Sequence, residues 1–290
     1  ETIVVNGTLN INGSLYLQGG TLSNNGTTNN NGNIDNYSSP TAQRYGLKNY
    51  GTFNNNGSIT ITANTVLYNY SVFINADTKG ASLILKGQFD NIYSPPYAGS
   101  FTNNALGTLS LFESGSYIAA QYTSTTNYGM IQIDSNNAKI DVYSLTNYGT
   151  IENLGGTFIG VDLTNSSTGI IRNETLNANW TCGNSDWSKL TNEGSITNKY
   201  FFNINHKCVL TNKSGGTFVN SGITYIGETD GTAPFGKLLN QGTLTNSGES
   251  AKIILMSNGT NTEWVYLLND NNAVITNDGG GVIELGLYSG

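Results

Sequence analysis

The eleven-residue phrase at Leu145, Leu-Thr-Asn-Tyr-Gly-Thr-Ile-Glu-Asn-Leu-Gly, constrains this chain more than any other feature. In general form it is an apolar residue, x, Asn, x, Gly, x, apolar, x, Asn, x, Gly. Variants begin at Leu47, Leu190, Leu210, Leu238 and Leu267. Between Asn240 and Asn246 the apolar Leu244 is flanked by Thr243 and Thr245, the period-two pattern of a half-buried strand. Asn and Gly at each end supply turning backbone, Gly through its access to positive φ. The phrase therefore reads as corner, strand of roughly four residues, corner.

The spacing between the two Asn residues supports strands. It is six at Asn6/Asn12, Asn49/Asn55, Asn147/Asn153, Asn192/Asn198 and Asn240/Asn246. It is eight at Asn165/Asn173, Asn212/Asn220 and Asn269/Asn277. Inserting two residues preserves the alternation of faces, whereas inserting one would invert it.

Aligned by their first apolar residue, the phrases start at Val4, Leu22, Leu47, Leu67, Phe101, Thr125, Leu145, Leu163, Leu190, Leu210, Leu238 and Leu267. The mean period, roughly 24 residues, is that of a solenoid coil, with length variation taken up in loops. The expected fold is all-β, a parallel β-helix of roughly twelve coils and about 57 Å, with no helical cap. Like residues then stack. Leu, Ile, Val and Phe form inner columns, and corner Asn residues such as Asn49, Asn147, Asn192 and Asn240 form hydrogen-bonded ladders. Tyr50 over Tyr70, and Tyr128 over Tyr148, are expected ring pairs.

No composition shift divides residues 1–290, so one domain is expected, with longer loops near 87–100, 175–189 and 228–237. The tract from Asn24 to Asn36 is hard to register. With 12 basic and 19 acidic residues the net charge is −7, which argues against nucleic acid as a partner. No run of 18 apolar residues offers a membrane span. A start at Glu1 rather than Met fits an exported, processed chain. The strand-like stretches at both ends carry no helix that could act as a lid, which suggests end-to-end contact between copies.

The wording Gly-Thr-Leu-Thr-Asn-Ser-Gly, Gly242 to Gly248, resembles the parallel β-helix stems of secreted adhesins such as autotransporters and filamentous haemagglutinins. It is also similar to repeat-built archaeal surface proteins. The resemblance is one of repeat style and extends over most of the chain. It implies secretion, adhesion or an extended surface structure, and no chemistry. The haemagglutinin-type N-terminal secretion domain is not evident.

Candidate sites are few. Cys182 and Cys208, the two cysteines, lie 26 residues apart, about one coil, so a disulfide is expected in an exported protein, against two free thiols. It would staple the Trp180 to Asp186 loop. His206, the one histidine, could complete a Cys/Cys/His metal site, but no fourth ligand is obvious, and a disulfide would remove any nucleophilic thiolate. Asp134, Asp141, Glu152 and Asp162 are spaced 7, 11 and 10 apart, unlike one coil, and read as solvated corners rather than a catalytic pair. The Asp270 to Asn272 turn has oxygen ligands for calcium but lacks the glycine-aspartate nonapeptide. Eleven Asn-x-Ser/Thr acceptors occur, close to the chance number for this composition. Of these Asn179, Asn258, Asn36 and Asn173 are the glycosylation candidates, Asn179 and Asn258 first because they fall in loops.

The expected role is that of a non-enzymatic extracellular or cell-surface structural protein, without cofactor or metal, assembling head to tail with copies of itself. The alternatives are an adhesin or glycan-binding stem, whose Tyr- and Trp-bearing loops touch surface glycans, and then a polysaccharide lyase or glycoside hydrolase.

Overall fold

The structure, a computed structural model, describes all residues except 1, 38–43, 76–80, 114–115, 177, 183–187, 205–206, 228–235, 258–264, 271 and 288–290. The chain is an all-β parallel β-solenoid, and no helix caps it among the described residues. Nor, among those residues, is any helix long and apolar enough to cross a membrane. Two compact units are present, Glu1–Leu145 and Thr146–Gly290.

In the first unit the earlier turns contain three short strands each, and in the later ones two of the three merge into a single long strand, Tyr117–Asn127 and Lys139–Asn147. Arg44–Asn49, Thr52–Asn55 and Ser58–Ile61 form one three-strand turn. Each pairs in parallel with its counterpart one turn later, placing Leu47 on Leu67, Phe53 on Phe73 and Ile59 on Leu83. All six are fully buried. Burying one such side chain stabilises by about 1.5–3 kcal/mol, so the inner columns dominate the energetics. Phe53 and Phe73 stack with centroids 5.0 Å apart.

The register corrects two of the aligned starts. Ile3, not Val4, pairs with Leu22. Leu67 pairs with Phe89, whereas Phe101 belongs to the next strand of the turn and pairs with Phe73. The Asn24 to Asn36 tract resolves into Thr21–Asn24, Thr27–Asn30 and Asn33–Tyr37.

Two of the three corners carry buried amides. Asn24, Asn49, Asn69 and Asn91 run up one corner, each Nδ2 donating to the next Oδ1 at 2.7–2.8 Å. Thr123 takes the following place and accepts from Asn91. Asn30, Asn55, Asn75, Asn103 and Asn127 run up the second. The third corner is aliphatic, with Ile61, Leu85, Leu111 and Ile133 in sequence. Asn36 intrudes into that column between Leu17 and Ile61.

Some corner glycines have the expected positive φ, as Gly248 does at 113°, but others are required for a different reason. Gly51 does not have positive φ. A Cβ on it would lie 2.0 Å from the carbonyl oxygen of Gly26 one turn below. That carbonyl accepts the Thr52 N–H at 2.8 Å, so the close approach is part of the ladder.

The second unit repeats the scheme. Ser188–Asn192, Ser195–Asn198 and Phe201–Ile204 form one turn. Leu163, Leu190, Leu210, Leu238 and Leu267 stack in the expected register. Asn147, Asn165, Asn192, Asn212, Asn240 and Asn269 make one amide column. Asn153, Asn173, Asn198, Asn220, Asn246 and Asn277 make another. The remaining corner again lacks amides and holds Cys182, Ile204 and Ile226.

The expected loops are smaller than the sequence implied. From Gln88 the chain is a strand to Ser94, and only a hairpin formed with Tyr97–Ala98 leaves the stack, turning at Pro95-Pro96. The 175–189 stretch contains the strand Asn179–Cys182. Most of 228–237 lies outside the described residues, and Gly236–Asn240 is a strand.

Candidate functional site

The first unit carries a polar, tyrosine-walled groove of about 440 Å³ on its outer surface. Its floor comes from two adjacent parallel strands, Gln88–Ser94 and Tyr117–Asn127. Gln88 pairs with Tyr117 and Asp90 with Ala119. Alternation turns Phe89 and Asn91 into the core, leaving Gln88, Asp90, Tyr117 and Ala119 on the outer side. Ala119 is small, so the space above it beside Asp90 stays open.

The walls come from breaks in strand regularity. After Ile92 the hairpin lifts Tyr93 away from the stack, and its ring is exposed. At the same end of the neighbouring strand, Tyr122 has φ of 57°, in the left-handed region, where a tyrosine is strained. There the long strand bends from pairing with Gln88–Ile92 to pairing with Ser100–Asn103. Tyr122 is 69% exposed and its ring lies 5.0 Å from that of Tyr143.

The polar groups are ordered. Gln88 Nε2 donates to Asp90 Oδ1 at 2.7 Å. Burial pushes the Asp90 carboxyl above the usual range, and the Gln88 bond opposes that shift. Tyr117 is held above its ordinary value by burial first, then by the charges of Asp141 and Asp90, and by its hydrogen bond to Asp141. Lys139 Nζ lies 3.1 Å from Asp141 and 5.5 Å from the centre of the Tyr117 ring. An acidic acceptor thus sits in a groove lined by Tyr93, Tyr117 and Tyr122, an arrangement that can take hydroxyl donors and apolar C–H faces together.

Next to the groove, Tyr68 occupies the outward position beside Asp90. Its ring lies 6.0 Å from Tyr70, which stacks on Tyr50 at 4.6 Å with planes 6° apart. This is the first of the two expected ring pairs. The other, Tyr128 and Tyr148, falls with one member in each compact unit.

The residues singled out from sequence lie elsewhere. Asn49, Asn147, Asn192 and Asn240 are buried in the amide columns described above. Cys182 and Cys208 form a disulfide with Cα atoms 5.7 Å apart. They are not in one column: Cys182 stacks under Ile204, and Cys208 over Ser188. The bridge therefore spans the corner that has no amide. Trp180 is not in a loop. It is fully buried in a strand and stacked between Phe158 and Phe202 at 4.0 and 5.9 Å.

Asn36 and Asn173 are 1% and 0% exposed, so neither offers its amide to a glycosylating enzyme in the folded chain. Asn36 lies inside an otherwise aliphatic column, and Asn173 donates to Asn198 at 2.9 Å. Asn179 opens a strand rather than lying in a loop, and its Oδ1 accepts from Asn203 at 2.8 Å. Asn258 and His206 lie outside the described residues. Asp141 pairs with Lys139, and Glu152 with Arg172 at 3.8 Å. Asp134 and Asp162 are exposed. The backbone carbonyl of Asp270 accepts the Ala273 N–H, while residue 271 of that turn is not described. Among the described residues no group of three or more His, Cys, Asp or Glu side chains could hold a metal ion.

The groove was not anticipated. Its signals were Gln-Phe-Asp at Gln88 and the pair of prolines at Pro95, but its two strands are joined only by register.

No protein-family model and no curated protein matches the chain. Among solved structures it is similar to one described as the TibC-catalyzed hyper-glycosylated TibA55-350 fragment, at 15% identity and a TM-score of 0.34, covering 99% of this chain and 100% of that one.

Proposed function

We propose that this chain is a non-enzymatic extracellular structural protein, a β-solenoid subunit that stacks head to tail on copies of itself. The observation that carries the reading is the stacking scheme itself, in which each turn meets the next through a parallel ladder, an inner Leu column and a directional amide column, as from Leu190 and Asn192 through Leu210 and Asn212 to Leu238 and Asn240. A turn of one copy can present the same edge and columns to a turn of another. A head-to-tail contact of this kind does not close and so extends into a filament. The disulfide fits an oxidising, extracellular setting.

Electron microscopy and sedimentation of the purified chain test this. Filaments that lengthen with concentration are expected. Monodisperse monomers at high concentration would overturn the reading.

A further inference from the structure

We infer that the groove over Asp90 is a carbohydrate-binding site for β-linked chains of flat pyranose rings. The inference is independent of end-to-end assembly, because the groove lies on the outer side of the strands rather than at a tip.

Three features of the site carry it. First, the acceptor is built rather than incidental. Asp90 is held at 2.7 Å by Gln88, and its second oxygen is left for a ligand hydroxyl. A carboxylate accepting from sugar hydroxyls makes charge-assisted bonds, about twice as strong as neutral ones. Second, the walls are aromatic and exposed, Tyr93 at 54% and Tyr122 at 69%. A pyranose whose hydroxyls are equatorial presents axial C–H groups on both faces, and these pack against ring faces. Third, the site has length. One turn from Asp90 lies Tyr68, with Tyr70 beside it on the same turn and Tyr50 stacked on Tyr70 a further turn away, and strands are about 4.8 Å apart, so sugar rings fit along the stacking direction. A volume of about 440 Å³ lies within the range of small-ligand sites.

A quaternary ammonium ion is the competing ligand for tyrosines around a carboxylate. The chemistry favours sugar. Lys139 already lies over the Tyr117 ring, and the groove is an open trough rather than a closed cage.

The test is saturation-transfer NMR and calorimetry on the full chain, using cellotriose and, separately, tetramethylammonium chloride as probes. Circular dichroism checks the fold of each variant. Cellotriose is expected to bind saturably, with transfer strongest at its ring C–H protons. Asp90→Asn and Tyr93→Ala should each weaken binding about tenfold. Tyr16→Ala, which removes an exposed tyrosine in the first turn, should leave it unchanged. No saturable binding of cellotriose up to about 10 mM would overturn the inference. So would equal binding by the Asp90 and Tyr93 variants, equal weakening by Tyr16→Ala, or saturation by tetramethylammonium alone.

Discussion

Asn192 Nδ2 donates to Asn212 Oδ1 at 2.7 Å, joining residues that are twenty positions apart in the chain and one turn apart in space. Its second N–H is directed at the Thr217 carbonyl at 2.9 Å, and its own Oδ1 accepts from Asn165 at 2.8 Å. One fully buried side chain thus satisfies polar groups on the turns either side of its own.

Asn192→Ala should therefore cost about 3 kcal/mol, since it strands a donor on Asn165 and acceptors on Asn212 and Thr217. Urea denaturation measures this. Asn192→Thr should cost less, because Thr123 already fills such a place and accepts from Asn91 at 2.9 Å.

Gly51→Ala should destabilise by about 3 kcal/mol, because the new methyl group meets the Gly26 carbonyl and forces two turns apart. Gly13→Ala is the matched control. A Cβ there meets nothing within 4 Å, so the change should be neutral or stabilise by about 0.5 kcal/mol. Thermal melts of the two variants, side by side, separate close approach from conformational freedom.

Replacing both cysteines by alanine should lower stability by about 3.5 kcal/mol, the chain-entropy value for a 26-residue separation. The same loss should appear when the wild-type chain is reduced, and the double variant should then show no further response to reductant.

Asp90 supplies the pH dependence. Its folded pKa is raised by burial, so the folded chain holds this proton more tightly than the unfolded chain. The stability it contributes is fully present below the unfolded carboxylate value and is lost as pH rises through the folded value. Asp90→Asn removes that dependence while keeping an acceptor for Gln88. The melting temperature of the variant relative to wild type should rise as pH goes from about 4 to 7.

Much of this architecture can be read in the residues. The phrase starting at Leu190, Leu210, Leu238 and Leu267 is in true register, because all four carry Leu and Asn in the same places. The cysteines could be paired because their separation approximates one turn. Three strands per turn were not legible, because the first unit's third strand ends in Ile61, Leu85 or Leu111 and so lacks the marker residue. Reading 87–100 as a loop around the two prolines hid Phe89 and let Phe101 pass for the successor of Leu67. The groove stayed hidden for a different reason. Asp90 and Ala119 share no local motif, and only parallel pairing across 29 positions makes them neighbours.

Within each column the interior amides all donate toward the higher-numbered turn. Such a line behaves as a row of coupled dipoles, each bond polarising the next. No single member can reverse, since its Nδ2 would then face a neighbouring Nδ2. An empty slot in mid-column would cut one long dipole row into two short ones with loose ends. At Val5 and Ile11, which sit beneath Asn24 and Asn30, the rows already stop, and the Asn24 Oδ1 is left without a partner. Evolution should therefore swap amides freely in outermost turns and hardly at all in the middle of a row.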